Sequence, residues 1–174
     1  MAAKLLLTGR PGVGKTTLVR KVIAAGIPLA GGFLTEEVRQ QGRRVGFRVR
    51  DIHSGQEGTL ARTGHHSGPK VGKYTVDVAS FDRIGVKAVR EAMHRDGCVV
   101  IDEVGRMELC SKAFREMVPT VIDSGKPILA TLSSHSDPLL DDLRRRKDVT
   151  LVEVTRSNRD TLPMEIARLL GDSA

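Results

Sequence analysis

The chain has little aromatic surface. Its 174 residues include four Phe, one Tyr and no Trp, 3% in all. Single-stranded nucleic acid is held on rows of aromatic rings that stack against the bases, so this scarcity argues against such a binding sheet. Cysteine is equally scarce. Cys98 and Cys110 are the only two, too few for a disulfide framework or a four-cysteine zinc site. No apolar run approaches the roughly 18 residues a membrane span needs. The start, Met1-Ala2-Ala3-Lys4-Leu5, leads directly into strand-like sequence without a leader's cleavage pattern. A cytoplasmic protein without a membrane partner is expected. No repeat, low-complexity block or Pro/Ser-rich linker interrupts the chain, and its length suits one core, so residues 1–174 are expected to form a single domain.

What is present is an ordinary globular balance of 40% hydrophobic and 28% charged residues. The 28 Lys and Arg exceed the 21 Asp and Glu, for a net charge of +7. That excess suits a polyanionic small ligand as well as a nucleic acid. Leu5-Leu6-Leu7-Thr8 is a short apolar run closed by a Gly-rich turn, which predicts a buried strand. Residues 16–25 predict a helix with Leu18, Val19, Val22 and Ile23 on one face and Gly26 at its end. Segments 32–39 and 45–52 have β-type texture and are joined at Gln40-Gln41-Gly42-Arg43, an antiparallel meander. Residues 62–73 read as a loop, and a helix is expected from about 82 to 95. Cys98-Val99-Val100-Ile101 is a second apolar strand. Ser111 caps a helix that Pro119 should bend or interrupt. Strands at 127–132 and 149–154 and helices after Asp137-Pro138 and through Leu170 complete the pattern. Short apolar strands alternating with helices imply an α/β fold: a parallel sheet in three layers, with the meander extending one edge.

Gly9-Arg10-Pro11-Gly12-Val13-Gly14-Lys15-Thr16 fits the phosphate-binding pattern G-x-x-x-x-G-K-[ST] at every fixed position, with a strand before it and a helix after it. Glycines let the backbone fold into a concave nest of N–H groups. The following helix adds free N–H groups and its positive dipole end. Lys15 would reach the β- and γ-phosphates, and the Thr16 hydroxyl would ligate Mg²⁺. Val99-Val100-Ile101-Asp102 is an apolar strand ending in an acid, as a second Mg²⁺ contact requires, usually through a water. Glu103 follows directly. Adjacent side chains on a strand end point to opposite sides, so one carboxylate can serve the metal while its neighbour faces an attacking water as general base.

Gly-Arg-Pro-Gly-Val-Gly-Lys-Thr-Thr at 9–17, Gly-Phe-Leu-Thr-Glu-Glu-Val-Arg at 32–39, Val-Gly-Lys-Tyr-Thr-Val-Asp at 71–77 and Ile-Asp-Glu-Val-Gly-Arg-Met-Glu-Leu at 101–109 together resemble one family. It is the small P-loop nucleoside-triphosphatase family of archaea and bacteria, which includes the cancer-related nucleoside triphosphatase of animals. The resemblance spans nearly the whole chain. It implies a RecA-like core sheet and Mg²⁺-dependent hydrolysis of several nucleoside triphosphates to the diphosphate, with little base selectivity. It implies nucleotide contacts from Gly9, Arg10, Pro11, Gly12, Val13, Gly14, Lys15, Thr16 and Thr17. A second contacting stretch is implied at Val99, Val100, Ile101, Asp102, Glu103, Val104, Gly105 and Arg106. The sequence departs from the family after Thr131, where relatives often carry a basic residue and Leu132-Ser133-Ser134-His135 stands here. Transition-state charge still calls for a cation beyond Lys15 and Mg²⁺; Arg10 and Arg106 are the candidates.

Several residues admit two readings. Glu36, on the face of Leu34 and Val38, belongs to the site or pairs with a structural arginine. Tyr74, the single tyrosine, stacks on a base or packs in the core. His65-His66 suits a solvated or lid-like loop better than a metal site. Arg144-Arg145-Arg146-Lys147 follows Asp141-Asp142 along one helix, a dipole-complementing end rather than a nucleic-acid patch. Asn158-Arg159-Asp160 contacts the base or caps a helix. Three other functions stay open. A nucleotide or metabolite kinase would use residues 62–73, with Arg62, His65, His66, Lys70 and Lys73, as a lid. A GTPase would use Asp102-Glu103-Val104-Gly105 as D-x-x-G, although Asn158-Arg159-Asp160-Thr161 fits the guanine-reading motif poorly. An RNA-binding protein would use the net charge.

Overall fold

The computed structural model describes residues 1–64 and 67–172. The sequence expectation for His65 and His66 therefore lies outside the described residues. In chain order the elements begin with β1 (Lys4–Thr8), α1 (Lys15–Ala24), β2 (Leu29–Gln40), β3 (Arg43–Asp51), β4 (Glu57–Arg62), β5 (Lys70–Val71) and β6 (Tyr74–Val76). They continue with α2 (Val78–Phe81), a π-helical turn at Asp82–Val86, α3 (Lys87–Ala92), β7 (Cys98–Val104), a 3₁₀ turn at Glu108–Cys110 and α4 (Lys112–Asp123). The last are β8 (Ile128–Leu132), α5 (Pro138–Arg145), β9 (Thr150–Glu153) and α6 (Leu162–Gly171).

Among the described residues nine strands form one sheet in the order β5-β6-β4-β3-β2-β7-β8-β1-β9. The neighbours from β2 through β7, β8 and β1 to β9 run parallel. Those from β2 through β3, β4 and β6 to β5 run antiparallel. This is the parallel core with an antiparallel extension that the sequence implies.

Side-chain alternation divides the core between the two faces. Leu5 and Leu7 pack with Leu18, Val19 and Val22 of α1 and with Ile166 and Leu170 of α6. Leu6 faces the opposite layer, where Val99, Ile101, Ile128 and Ala130 meet Phe114, Val118 and Val121 of α4. Period-two strands buried on both faces read as continuous apolar runs, which is why the parallel strands stand out in the sequence. Three of the four phenylalanines, Phe33, Phe81 and Phe114, form an edge-to-face triad with centroids 5.2–5.7 Å apart. All three are fully buried.

One helix differs from expectation in its start, and another shows which of two outcomes at a proline does not occur. The one read from about 82 starts at Val78, where Asp77 caps it by accepting from the Ser80 N–H, and it passes through the π turn before α3. Pro119 does not interrupt α4, which runs unbroken from Lys112 to Asp123 with Ser111 as its cap. Residues 62–73 are not all loop: Lys70–Val71 pairs with β6 as a short edge strand.

Candidate active site

The loop between β1 and α1 is held open by backbone conformation. Gly9, Gly12 and Gly14 have φ of 144°, 76° and 109°, values side-chain-bearing residues rarely adopt. Gly14 caps α1 without a side-chain bond, which leaves the first N–H groups of the helix for an anion. Lys15 opens the helix and is only 8% exposed. Its Nζ donates to the Gly9 carbonyl at 2.8 Å and to the Arg10 carbonyl at 3.4 Å, tying the loop together from inside. An ammonium has three donors, so one remains for a ligand. Arg10, Pro11, Gly12 and Thr17 are exposed, and Val13 and Thr16 half-buried.

β7 carries Val99, Val100, Ile101 and Val104 into the core and brings Asp102 and Glu103 to its carboxyl end. Their peptide bond is cis. Asp102 is 1% exposed. Its Oδ1 accepts from the Thr131 hydroxyl of β8 at 2.7 Å, while Oδ2 is buried without a hydrogen-bond partner. Burial pushes the Asp102 carboxyl up; the Thr131 and Thr16 hydroxyls and the Thr35 N–H oppose that shift. Glu103 is pushed up to about 7, first by burial; the Lys15 ammonium pulls it down and Asp102 raises it. The loop and the strand end lie at the same edge of the sheet, because β1, β8 and β7 are parallel neighbours.

A third carboxylate, which the sequence reading missed, completes the cluster. Glu108, 4% exposed, is held well above the usual carboxylate range by burial and by Glu103. Both side chains crowd Gly105. A Cβ there would stand 2.5 Å from Glu103 Oε1 and 2.9 Å from Glu108 Oε2, so a larger residue would have to push the carboxylates aside. A group whose folded pKa is raised binds more protons in the folded state, so stability falls as pH rises. Replacing Glu108 by glutamine is expected to raise the melting temperature more at pH 8 than at pH 5. Thermal unfolding at the two pH values checks this; an equal change at both would contradict it.

Thr131 was also missed, although a hydroxyl inside an apolar strand was its signal. Arg106 is exposed on the turn after β7. Burial depresses His135, on the loop after β8, and the Arg106 charge adds to that; the His135 Nδ1 lies 2.5 Å from the Ser133 hydroxyl. Arg144 of α5 reaches the same loop, donating to the carbonyls of Ser133 and His135.

The residues with two readings are also placed. Glu36 pairs with Arg20 and Arg48, and is structural. Tyr74 is buried on β6, packs edge-to-face on Phe47 and receives a bond from Arg44, far along the sheet from the loop. Arg144, Arg145 and Arg146 are ion-paired to Asp141, Asp142, and Asp123 with Asp148. Among the described residues no three His, Cys, Asp or Glu form a metal cluster by themselves. No helix among them is long and apolar enough to cross a membrane.

The sequence profile of a family described as NTPase matches residues 4–167. A Thermotoga protein named nucleoside-triphosphatase THEP1 is 44% identical, over 96% of this chain and 95% of its own. The protein of that name from Thermofilum pendens is 48% identical, over 97% and 96%. Among solved structures, the crystal structure of THEP1 from the hyperthermophile Aquifex aeolicus superposes with a TM-score of 0.85 at 36% identity, covering 96% of this chain and 98% of that one. The solution structure of a human cancer-related nucleoside triphosphatase gives 0.80 at 39%, covering 99% and 100%. Alike in sequence and in fold from end to end, the chain belongs to the NTPase family.

Proposed function

We propose that the protein hydrolyses nucleoside triphosphates to the diphosphate and phosphate, with Mg²⁺ as cofactor and little regard for the base. One observation carries the reading. A glycine loop holding Lys15 and a strand end holding Asp102 and Glu103 meet across β8, and one oxygen of that buried Asp102 has no partner. A buried, unsatisfied carboxylate oxygen beside a threonine hydroxyl suits a hard cation. Asp102, through a water, and Thr16 would hold the Mg²⁺, which when bound neutralises charge on the β- and γ-phosphates. The loop N–H groups and the Lys15 ammonium bind the phosphate chain. Glu103 orients a water toward the γ-phosphorus and takes its proton as the new P–O bond forms. The bond from that phosphorus to the β–γ bridging oxygen breaks, and the diphosphate leaves. Arg106, without an ion-pair partner among the described residues, supplies the further cation at the transition state. Residues 1–174 act as one domain, located in the cytoplasm, and the paired Arg144–Arg146 end of α5 gives no reason to add a nucleic-acid partner.

Phosphate release from ATP with Mg²⁺ and no acceptor is expected to proceed through many turnovers, at comparable rates for GTP, CTP and UTP. Turnover that depends on an added nucleoside or monophosphate would instead mark a kinase. That reading draws no support from the relatives named above, which bear a hydrolase's name.

A further inference from the structure

The reading of Lys15 and Thr16 as the phosphate grip fixes the direction of a bound nucleotide. β1 has β8 and then β7 on one side and β9 on the other. The terminal phosphate points toward Glu103 at the end of β7, so the nucleoside leaves on the β9 side. The chain after β9 is built onto the phosphate loop there. The Val154 carbonyl lies 2.6 Å from where a Cβ on Gly9 would stand. Asn158 braces the segment: its Oδ1 accepts from the Thr155 N–H at 2.8 Å and its Nδ2 donates to the Glu153 carbonyl at 2.9 Å. The Arg159 N–H donates to the Thr155 carbonyl at 3.0 Å.

From this braced turn the Arg159 side chain reaches back over the loop. Its Nη1 donates to the Val13 carbonyl at 3.2 Å, and its Cδ lies 3.8 Å from where a Cβ on Gly14 would stand. The residue is exposed. Among the described residues no carboxylate pairs with it, and neighbouring Asp160 is drawn to Lys21 instead. The aromatic rings are engaged elsewhere: Phe33, Phe81 and Phe114 with one another, and Phe47 with Tyr74. A nucleobase at this rim therefore finds no ring to lie on. It finds a guanidinium, which is planar and cationic and stacks on π-faces.

We propose that Arg159 is the platform for the nucleobase, presenting the face of its guanidinium while the Val13 carbonyl holds the plane in place. Every base has a face to offer, and a face carries none of the donor and acceptor pattern that distinguishes one base from another. Tolerance of the base follows from what the site is built of. Asn158 does not read the base, because its amide is engaged by the turn.

The test separates base from phosphate and needs no catalysis. ADP, GDP, CDP and UDP, and separately inorganic pyrophosphate, are titrated calorimetrically in the presence of Mg²⁺ into the wild type and into Arg159→Ala, Arg159→Tyr and Arg159→Lys. The alanine variant should bind all four nucleotides about tenfold or more weakly, the range of a lost base-stacking contact. Its affinity for pyrophosphate should not change, which also shows the phosphate loop intact. Tyrosine should restore nucleotide binding and lysine should not. The proposal is overturned if pyrophosphate weakens in step with the nucleotides, since Arg159 would then grip phosphate or prop the loop. It is also overturned if nucleotide affinity is unchanged, or if one base alone suffers. Failure of the hydrolysis reading would appear separately, as wild-type protein that binds these ligands but releases no phosphate from ATP.

Discussion

Changing Glu103 to glutamine is expected to slow phosphate release by roughly 10²–10⁴-fold, the range for a lost general base, while nucleotide binding stays near normal. Glutamine has the shape and volume of glutamate, so the crowded space over Gly105 is filled as before. It cannot accept the water's proton. Nor should the fold suffer, because burial already works against a charge at this position and the neutral amide removes that conflict. Steady-state phosphate release measures kcat, and titration with ATP under the same conditions measures binding. Turnover close to wild type would reject Glu103 as the base. A parallel loss of binding would mean that the side chain holds the site together instead of acting on the water.

In the proposed reading Lys15 governs the other half of the site. Lys15→Ala should lower kcat/KM by at least about 10²-fold, comparable to removing one preorganised donor from a transition state. Two effects combine. The β- and γ-phosphates lose their one buried cation from the loop, and the Gly9 and Arg10 carbonyls lose the ammonium that draws them together. The upward shift in melting temperature that ADP with Mg²⁺ gives the wild type should disappear in this variant. A retained shift with normal turnover would show that the loop N–H groups alone hold the phosphates.

The parts of this site legible in the sequence are those whose chemistry is local. Gly9 to Thr16 is a continuous stretch whose glycine spacing prescribes its own backbone, and Asp102 stands where an apolar run stops. The parts that were not legible depend on who sits next to whom. Glu108 lies between Met107 and Leu109 and resembles a polar position on a short amphipathic turn. Only packing against Gly105 and Glu103 makes it a buried acid. Arg144 resembles one of four basic residues closing a helix, and its role on the loop after β8 needs α5 folded against that loop. Arg159 reaches Val13 across 146 positions of chain, a separation no periodicity encodes. The fold divides in the same way. The parallel strands were evident because burial on both faces leaves them uniformly apolar, whereas the π turn at Asp82–Val86 only shifts the helix's hydrogen-bond register and leaves no mark in composition.

A single strand, β8, separates the grip from the carboxylates, and that spacing has a consequence for the chemistry. Neighbouring strands lie about 4.8 Å apart, so β1 and β7 are roughly 10 Å from each other. Peptide hydrogen bonds set this interval, and neither sugar nor base can alter it. In the reading proposed here the interval works as a gauge of polyphosphate length: a third phosphoryl group reaches Glu103, and a diphosphate in the same loop stops one unit short. Cleavage would then end after a single step because the sheet is too wide for a second.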